Sequence, residues 1–523
     1  MKKHLLLVAV IASLAIAGCE RNAPSSAKKS SNTPSIIDGG YDDEDSEPSG
    51  PSSNSSSSFS WGGWSSSGRS SSQSSSSQQS SSSRSSKESS SRPPKSEGET
   101  NESFVLMEID DVSSMSWNCK KYVDDMRAQQ QRLIAERGAT ADYYINDLFG
   151  TSGVDLTKGV LAGDNGGYRD GTTQNDYLDD VDAYWEYGEK SDENKGIEIE
   201  FRPADSLKNQ EYTILYGTKE DLSDAKELKT TETRIAIKNL FVNQRYFYKV
   251  KAGTAESPLG EFTTGDYPRW IDARPMFNVR DAGGYMTSSG KRIKQGMVYR
   301  GGEITDKVNW TSGSQYTGDV GGRYTNSNGR MQDGHITTQT DASKEVFRNV
   351  MGMVGGLEID LRSSGETNGY SKCGFAISGD ISYKLLAISS YENGLNNNKS
   401  LIKQCFDAFA EADTKPVYYH CYGGADRTGT IGFLLGALLG MSYTDLVIDF
   451  ELTSYSSNPS RNYRSHLRNG PYNRWPTMIS TLQNNYGFSS SKTIQQATED
   501  YLKNQCGVSQ TTINKIREIM LED

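Results

Sequence analysis

The sequence predicts an α/β domain over residues 267–523, with a central sheet flanked by helices, preceded by a β-sandwich over residues 191–266 and a disordered serine-rich tether over residues 19–103. Three observations support this prediction. Apolar strand-like and helix-like segments alternate after residue 269, as they do in α/β domains. Short segments with period-two alternation precede them, as in sandwiches. The tether region is dominated by serine and has few residues that could form a core.

The amino terminus has the pattern of an export signal. Two lysines precede an apolar run over residues 5–16, which is shorter than a membrane-spanning helix and typical of a secretory signal. The run ends in Ile16-Ala17-Gly18-Cys19, which resembles a bacterial lipobox. The resemblance implies removal of residues 1–18, lipidation of Cys19 and anchoring at the bacterial cell membrane, with the remaining chain outside the cytoplasm. An ordinary signal peptide with an incidental cysteine is the alternative.

The composition of the whole chain is polar and acidic. Hydrophobic residues make up 34% of it, because the long serine-rich segment lowers the average. Such a segment buries too little apolar surface to offset its conformational entropy, so we expect a flexible tether, with a glycosylated stalk as the alternative. The formal net charge of −11, without a cluster of basic residues, argues against a nucleic-acid partner.

Residues 104–190 carry few structural signals, and no role is assigned to them. The segment 122–137 is rich in helix formers and ends before Gly138, so it is predicted to be a helix. Calcium binding would need the EF-hand spacing, which is absent, so we interpret one acidic cluster as a solvated surface: Asp179, Asp180 and Asp182.

The cysteines are not spaced as metal ligands. They form no CxxC pair and have no metal-ligand spacing with the histidines, so no metal site is predicted. In an oxidising compartment some of them could form disulfides, and the sequence leaves the pairing open among Cys119, Cys373, Cys405 and Cys506.

Alternating strand patterns characterise the predicted sandwich. They are clearest at 196–201, 212–216, 234–237 and 246–250. The segment at 240–246, followed by Val250, Ala252 and the stretch 260–264, resembles a fibronectin type III module. The resemblance implies that Tyr246 is the corner tyrosine, which bonds back to the preceding turn. The module would act either in binding a substrate or surface, or as a brace packed on the next domain.

The α/β pattern consists of strands joined by helices and one long loop. The stretch 310–333 is rich in Gly, Ser and Asn and is predicted to be an inserted loop. Ser400 is the expected cap of one helix. Strands are predicted at 297–300, 356–362, 383–388 and 416–420, and helices at 342–353 and 401–412.

The last of these strands runs into the motif His420-Cys421-x5-Arg427-Thr428-Gly429, which an apolar helix follows. A strand, a glycine-containing turn and a helix start form a nest of backbone N–H groups at the positive end of the helix dipole. This arrangement binds an anion and stabilises a thiolate. Cys421 is therefore the predicted nucleophile, with a buried inert cysteine as the alternative. Arg427 is predicted to hold two phosphate oxygens in a fork.

The other residues of this loop have predicted supporting roles. Gly424 lets the backbone approach the anion closely, Thr428 is expected to donate a hydrogen bond to the cysteine sulfur, and His420 to orient the loop from behind. No metal or cofactor is predicted, because the thiolate, the arginine and the helix dipole supply what a metal would. The residues expected to surround the phosphate are Tyr422, Gly423, Gly424, Ala425, Asp426 and Arg427.

Three motifs occur in the order found in the cysteine-dependent protein tyrosine phosphatase superfamily. They are Asn278-Val279-Arg280-Asp281-Ala282-Gly283-Gly284, Asp360-Leu361-Arg362-Ser363 with Glu366, and the loop at 420–429. Within the superfamily the chain resembles the bacterial tyrosine/serine and phosphoinositide phosphatases. The resemblance implies a hydrolase that cleaves phosphate monoesters through a phosphocysteine intermediate, without a cofactor.

The general acid that protonates the leaving oxygen has two candidates. The Trp-Pro-Asp tripeptide of tyrosine phosphatases with a mobile acid loop does not occur in the sequence. Asp360, at the end of a neighbouring strand, is preferred, and Asp426, inside the loop, is the alternative. Arg280 and Asp281 are expected either to form a buried ion pair that braces the loop or to contact the substrate.

The substrate class depends on Ala425, which occupies a position where phosphoinositide phosphatases of this group often have lysine. Loss of that cation removes an attraction for a second phosphate, so a phosphotyrosine-like monoester is preferred to a phytase-like inositol phosphate or a phosphoinositide. The ending Arg427-Thr428-Gly429 argues against a sulfur transferase or an arsenate reductase. A non-catalytic phosphate-binding surface protein is the alternative of another class.

Overall fold

The computed structural model describes most of the chain after residue 95. The predicted signal peptide, Cys19, the tether up to residue 95, the acidic cluster at 179–182, Glu366 and Cys373 lie outside the described residues. No helix among the described residues is long and apolar enough to cross a lipid bilayer. The described residues are 96–143, 194–304 except 275, 315–316, 323–325, 331–333, 340–363, 381–456 and 474–522 except 490.

Strands between residues 97 and 263 form two antiparallel sheets. In chain order they are β1 (Glu97–Thr100), β2 (Phe104–Met107), β3 (Ile197–Pro203), β4 (Tyr212–Gly217), β5 (Lys226–Thr230), β6 (Arg234–Ile237), β7 (Arg245–Ala252), β8 (Ala255–Glu256) and β9 (Gly260–Thr263). One sheet has the order β1-β2-β3-β6, and the other has β5-β4-β7-β8 with β9 also paired to β7. Side chains of both sheets share one apolar core, in which the rings of Phe201 and Tyr212 lie 4.9 Å apart.

These sheets differ from the predicted strands in two respects. β1 and β2 continue the sheet of β3, so one sheet contains strands from both sides of the predicted boundaries at residues 103 and 191. The sequence pattern does not predict β5, because that strand is largely charged and lies on the surface. The Phe241 amide donates to the Tyr246 hydroxyl over 3.0 Å, which is the contact expected of a corner tyrosine. The fibronectin type III resemblance itself stays a prediction.

The central sheet of the α/β domain is mainly parallel. Its order is β10-β11-β17-β15-β16; β11, β17, β15 and β16 are parallel, and β10 is antiparallel to β11. Three further strands, β12 to β14, form a small antiparallel sheet inside the stretch predicted to be a loop. The strands are β10 (Arg280–Asp281), β11 (Val298–Gly301), β12 (Gln315–Tyr316), β13 (Arg323–Thr325), β14 (Met331–Asp333), β15 (Leu357–Asp360), β16 (Ser382–Leu385) and β17 (Val417–His420).

Most of the described helices share one apolar core with this sheet. The described helices are α1 (Trp117–Arg137), α2 (Asp341–Glu345), α3 (Tyr391–Asn397), α4 (Lys399–Phe409), α5 (Asp426–Leu439), α6 (Tyr443–Glu451), α7 (Arg474–Tyr486), α8 (Ile494–Asn504) and α9 (Gln510–Met520). A single π-helical turn, Val346–Val350, continues α2. From Thr428 onward α5 is entirely buried, which explains why its sequence is apolar on all sides.

Two helix starts differ from prediction. α1 begins at Trp117, five positions before the predicted start at residue 122, because the Ser116 hydroxyl caps it by accepting from the Cys119 amide over 3.3 Å. The cap position of α4 is Asn398, so Ser400 lies inside the helix and does not cap it.

A buried arginine fixes the sandwich to the α/β domain. Arg269 is 2% exposed. It donates to the carbonyl oxygens of Asn239 and Leu240, over 3.0 and 3.1 Å, and to Asp281 Oδ2 over 2.7 Å. Its guanidinium also lies 4.0 Å from the centroid of the Phe241 ring. The sandwich therefore packs directly on the domain that carries Cys421.

Candidate active site

Cys421 lies at the carboxyl end of the central sheet. It follows β17, which pairs in parallel with β11 on one side and β15 on the other. Ligands of open parallel sheets bind at this edge, outside the carboxyl ends of the strands. Cys421 is 2% exposed, and α5 begins five residues later. The strand, the short loop and the helix start that the sequence predicts are thus all present.

Three successive carbonyl groups of the loop accept hydrogen bonds from residues outside the loop. The Tyr422 carbonyl accepts from the Glu303 amide over 3.0 Å, and the Gly423 carbonyl accepts from Asn278 Nδ2 over 3.0 Å. The Gly424 carbonyl accepts from an Arg300 side-chain nitrogen over 3.1 Å. Among the described residues, the amides of Gly423, Gly424 and the residue after it have no acceptor. Backbone donors left without partners at a helix start form an anion-binding nest.

Glycine is required at position 424 for two reasons. The residue has a φ of +66°, which side-chain-bearing residues rarely adopt. A Cβ atom there would also lie 2.3 Å from the carbonyl carbon of Gly301. The loop can therefore lie directly on the end of β11 only with glycine at this position.

Arg280 and Asp281 are buried, but they do not pair with each other. The Arg280 guanidinium donates to Asn278 Oδ1 and to the Asp449 carbonyl, the latter over 2.8 Å. Asp281 instead pairs with Arg269 and accepts from the Gly283 amide over 2.8 Å. The predicted ion pair between these neighbours is therefore corrected: each one braces a different part of the domain, because successive residues of a strand point to opposite faces.

The carboxylate of Asp449 lies between two arginines, Arg300 and Arg280. Arg300 forms a buried ion pair with Asp449, and Arg280 Nε lies 3.5 Å from the other oxygen of that carboxylate. Burial and the neighbouring charge of Arg300 lower the pKa of Arg280 to about 10. One carboxylate of α6 thus compensates two guanidinium groups behind the loop.

The other side of the loop is supported by a network around Arg362. This guanidinium donates to Asp360 over 2.7 Å and to Glu303 over 2.6 Å, and the Tyr383 hydroxyl donates to Asp360 over 3.1 Å. Burial opposes ionisation of Asp360, but His420 and Arg362 outweigh it and lower the pKa of Asp360 to about 2. For Glu303 burial prevails and raises the pKa to about 7.

His420 is buried behind the loop, as predicted. Its Nε2 lies 2.9 Å from Glu358 Oε1, and its Nδ1 lies 3.2 Å from the carbonyl oxygen of Cys421. Glu358, Asp360 and His420 place possible metal-ligand atoms within 4.8 Å of one another. A guanidinium, that of Arg362, already lies against Asp360, so a cation is present in this cluster without a metal.

The first turn of α5 carries the remaining predicted residues. Asp426 and Arg427 are half-buried, whereas Ala425 and Thr428 are buried. The Tyr391 hydroxyl donates to Asp426 Oδ1. The Thr428 hydroxyl is buried and has no hydrogen-bond partner among the described residues, so its predicted bond to the Cys421 sulfur is not formed.

Several residues of the site were not predicted. Asn278, Arg300, Glu303, Tyr391 and Asp449 all contact the loop or residues that support it. Asn278 opens a motif that the sequence shows, and its φ of +57° would favour Asn there. The other four lie outside any recognisable spacing.

The remaining described cysteines are chemically different from Cys421. Cys119, Cys405 and Cys506 are buried thiols, and no disulfide joins the described cysteines. Burial raises the pKa of Cys405 to about 12 and that of Cys506 to about 11, which keeps both thiols protonated. Neither belongs to a loop between a strand of the central sheet and a helix, as Cys421 does, because Cys405 lies inside α4 and Cys506 follows α8.

A cysteine between a central parallel strand and a helix start, with an arginine on the first helical turn, defines the cysteine-based phosphatases. Residues 271–311 and 319–522 match the family described as "Tyrosine phosphatase family". The match indicates a phosphatase that works through a cysteine and has a phosphate ester as its substrate. No curated protein compared with the chain matches it.

Proposed function

We propose that this protein hydrolyses phosphate monoesters of the phosphotyrosine type through a phosphocysteine intermediate, outside the cytoplasm of a bacterium and anchored to the membrane by lipid on Cys19. The observation that carries the catalytic part is the loop that follows β17. Cys421, the unpartnered amides of Gly423 and Gly424, and Arg427 all belong to one short loop and helix start.

The reaction has two displacements. The Cys421 thiolate attacks phosphorus, and the bond to the ester oxygen breaks as that oxygen takes a proton from the general acid. Water then attacks phosphorus, gives its proton to the same carboxylate, and the P–S bond breaks to restore the thiolate. Arg427 and the loop amides hold the oxygens on which charge develops in both transition states.

Asp426 is a better general acid than Asp360. Asp360 is fully buried and accepts hydrogen bonds from Arg362 and Tyr383, and its pKa of about 2 means that it carries no proton near neutral pH. Asp426 is half-buried on the first turn of α5, next to Arg427. These observations reverse the preference that the sequence suggests.

The proposed substrate class is supported by the residue at position 425. Ala425 is 4% exposed and contributes no charge, so this position supplies no cation for a second phosphate. This supports a monoester over a phytase-like inositol phosphate or a phosphoinositide.

The first experiment measures hydrolysis of p-nitrophenyl phosphate, a phosphotyrosine peptide and inositol hexakisphosphate by residues 96–523 in the presence of EDTA. We expect turnover of the first two substrates that Cys421→Ser abolishes. Asp426→Asn should slow esters with poor leaving groups by roughly 100-fold or more. Turnover that survives in Cys421→Ser would overturn the mechanism, and absence of turnover in the unmodified protein would favour a phosphate-binding surface protein.

The anchoring part is tested separately. Full-length protein expressed in a bacterium with labelled palmitate should be labelled and sediment with membranes, whereas Cys19→Ser should not be labelled. Equal labelling of both proteins would exclude Cys19 as the lipidated residue.

A further inference from the structure

Tyr391 contacts the first turn of α5 with both its backbone and its side chain. It begins α3 and is 2% exposed. Its hydroxyl donates to Asp426 Oδ1, and its amide donates to Thr430 Oγ1 over 2.8 Å. The Thr430 hydroxyl in turn donates to the Asp426 carbonyl over 2.9 Å. One residue is thus fixed to Asp426 by two independent routes.

The backbone at Tyr391 has a conformation that tyrosine rarely adopts. Its φ is +52°, in the left-handed region that favours glycine. Such conformations persist only where the surrounding structure holds them, and they concentrate at functional sites. Here the ring packs edge-on against Phe450, with 6.1 Å between centroids. The strained turn directs the phenol toward α5 rather than toward solvent.

We propose that Tyr391 is a positioning residue for the general acid: it occupies Oδ1 of Asp426, so that Oδ2 is the oxygen that carries the proton to and from the substrate. This inference rests on the proposed function. In the first displacement the Oδ2 proton moves to the ester oxygen as its bond to phosphorus breaks. In the second, Oδ2 takes the proton of the attacking water as the P–S bond breaks.

Holding Oδ1 has two consequences for the reaction. A carboxyl group held at one oxygen rotates less freely, so less orientational freedom is lost in reaching the transition state. A phenolic donor also stabilises the carboxylate more than the protonated acid. Loss of the hydroxyl should therefore slow proton transfer and move the basic limb of the pH–rate profile to higher pH.

The test compares Tyr391→Phe with Tyr501→Phe. Tyr501, on α8, is a matched control. Its buried hydroxyl donates over 2.8 Å to the Leu395 carbonyl of α3, the helix that Tyr391 begins, but it does not contact Asp426. The rates are measured with p-nitrophenyl phosphate, a good leaving group, and phenyl phosphate, a poor one. The ratio of the two rates in one sample is independent of the fraction of enzyme that is folded.

We expect Tyr391→Phe to lower the rate with phenyl phosphate by roughly tenfold and to leave the rate with p-nitrophenyl phosphate nearly unchanged. Tyr501→Phe should leave the ratio as it is. In the Asp426→Asn background, Tyr391→Phe should have no further effect, because the group it positions has lost its proton. The basic limb of kcat/KM should move to higher pH only in Tyr391→Phe.

The outcomes separate this inference from the proposed function. If Cys421→Ser retains activity, the phosphocysteine mechanism is wrong. If Asp426→Asn shows no dependence on the leaving group, the acid is another residue. If Asp426→Asn is selectively impaired while Tyr391→Phe behaves like Tyr501→Phe, the positioning role alone is overturned.

Discussion

Arg300 on β11 and Asp449 on α6 form a buried ion pair behind the loop that carries Cys421. The same guanidinium donates to the Gly424 carbonyl over 3.1 Å. The position of α6 and the shape of the anion-binding loop are therefore linked through one side chain. Removing the carboxylate leaves buried positive charge without compensation.

Asp449→Asn should destabilise the protein by about 3–5 kcal/mol, since breaking a buried pair leaves both Arg300 and Arg280 uncompensated. Urea unfolding at pH 7 measures the change. Asp413→Asn is the control, because Asp413 lies 3.4 Å from Lys515 in a partly exposed pair and should change stability by less than about 1 kcal/mol. Equal effects of the two substitutions would show that Asp449 is not compensating buried charge.

Gly424→Ala should reduce phosphatase activity by about 100-fold or more, because a displaced loop misplaces the cysteine and the amides. Gly253→Ala is the matched control: Gly253 has a similar φ of +61°, but no atom lies within 4 Å of its added Cβ, whereas that of Gly424 would meet Gly301 at 2.3 Å. Activity with p-nitrophenyl phosphate and thermal unfolding are measured for both. Comparable activity in the two variants would mean that the contact with Gly301 does not shape the loop.

Acid should destabilise the protein through Asp360. Its pKa is lowered from 3.8 to about 2, so the stabilisation it contributes is present above pH 3.8 and is lost as the pH falls toward 2. Asp360→Asn should lower stability at pH 7 and weaken this acid dependence, as followed by circular dichroism between pH 5 and 2. Asp205→Asn is the control, because the Asp205 pair with Lys208 is exposed and screened. An unchanged acid transition in Asp360→Asn would contradict the assignment.

Asp142 should have the opposite pH dependence. It is buried beside Asp445 at the start of α6, where Gln130 Nε2 and the Thr444 amide donate to it over 2.6 and 3.3 Å. Burial, with a smaller contribution from Asp445, raises its pKa from 3.8 to about 7. The unfolded chain releases this proton first, so stability should fall as the pH rises from about 3.8 to 7.

Asp142→Asn should therefore reduce the difference in melting temperature between pH 5.5 and pH 8. Asp445, the carboxylate that adds to this shift, pairs with Arg127 at 3.3 Å, and both side chains remain in the variant. Glu303→Gln should reduce the same difference independently, because burial also raises the pKa of Glu303 to about 7. If both variants kept the full difference in melting temperature between the two pH values, neither Asp142 nor Glu303 would be its cause.

The parts of the fold that the sequence predicts are those with a local cause. β17, α5 and the loop between them follow from an apolar run, glycines and a motif within a few residues. β15 is likewise an apolar run that ends in polar groups. β5 escapes prediction because a surface edge strand needs no apolar residues. The hairpin of β1 and β2 escapes it because β3, the strand on which β2 pairs, is about a hundred residues away along the chain.

The same distinction holds within the site. Cys421 and Arg427 are predicted because the loop that holds them is contiguous. The partners of Arg280 and Asp281 are not, since α6 and Arg269 become neighbours only in the folded domain. The two candidate general acids cannot be distinguished by sequence spacing, which suggests both. They differ in their partners, because Asp360 accepts from the Arg362 guanidinium and Asp426 accepts from the Tyr391 phenol.

The Arg269 contact has a consequence for how the chain folds. A cut at residue 267 would look like a natural domain boundary, yet it would remove the carbonyl acceptors of Asn239 and Leu240 and expose the guanidinium that neutralises Asp281. In the intact chain, the sandwich and the domain that carries Cys421 should therefore unfold in a single cooperative transition. Limited proteolysis should not cut the junction between them. Substitutions in the turn at residues 239–241 should consequently destabilise the domain that carries Cys421, although that turn lies in another domain.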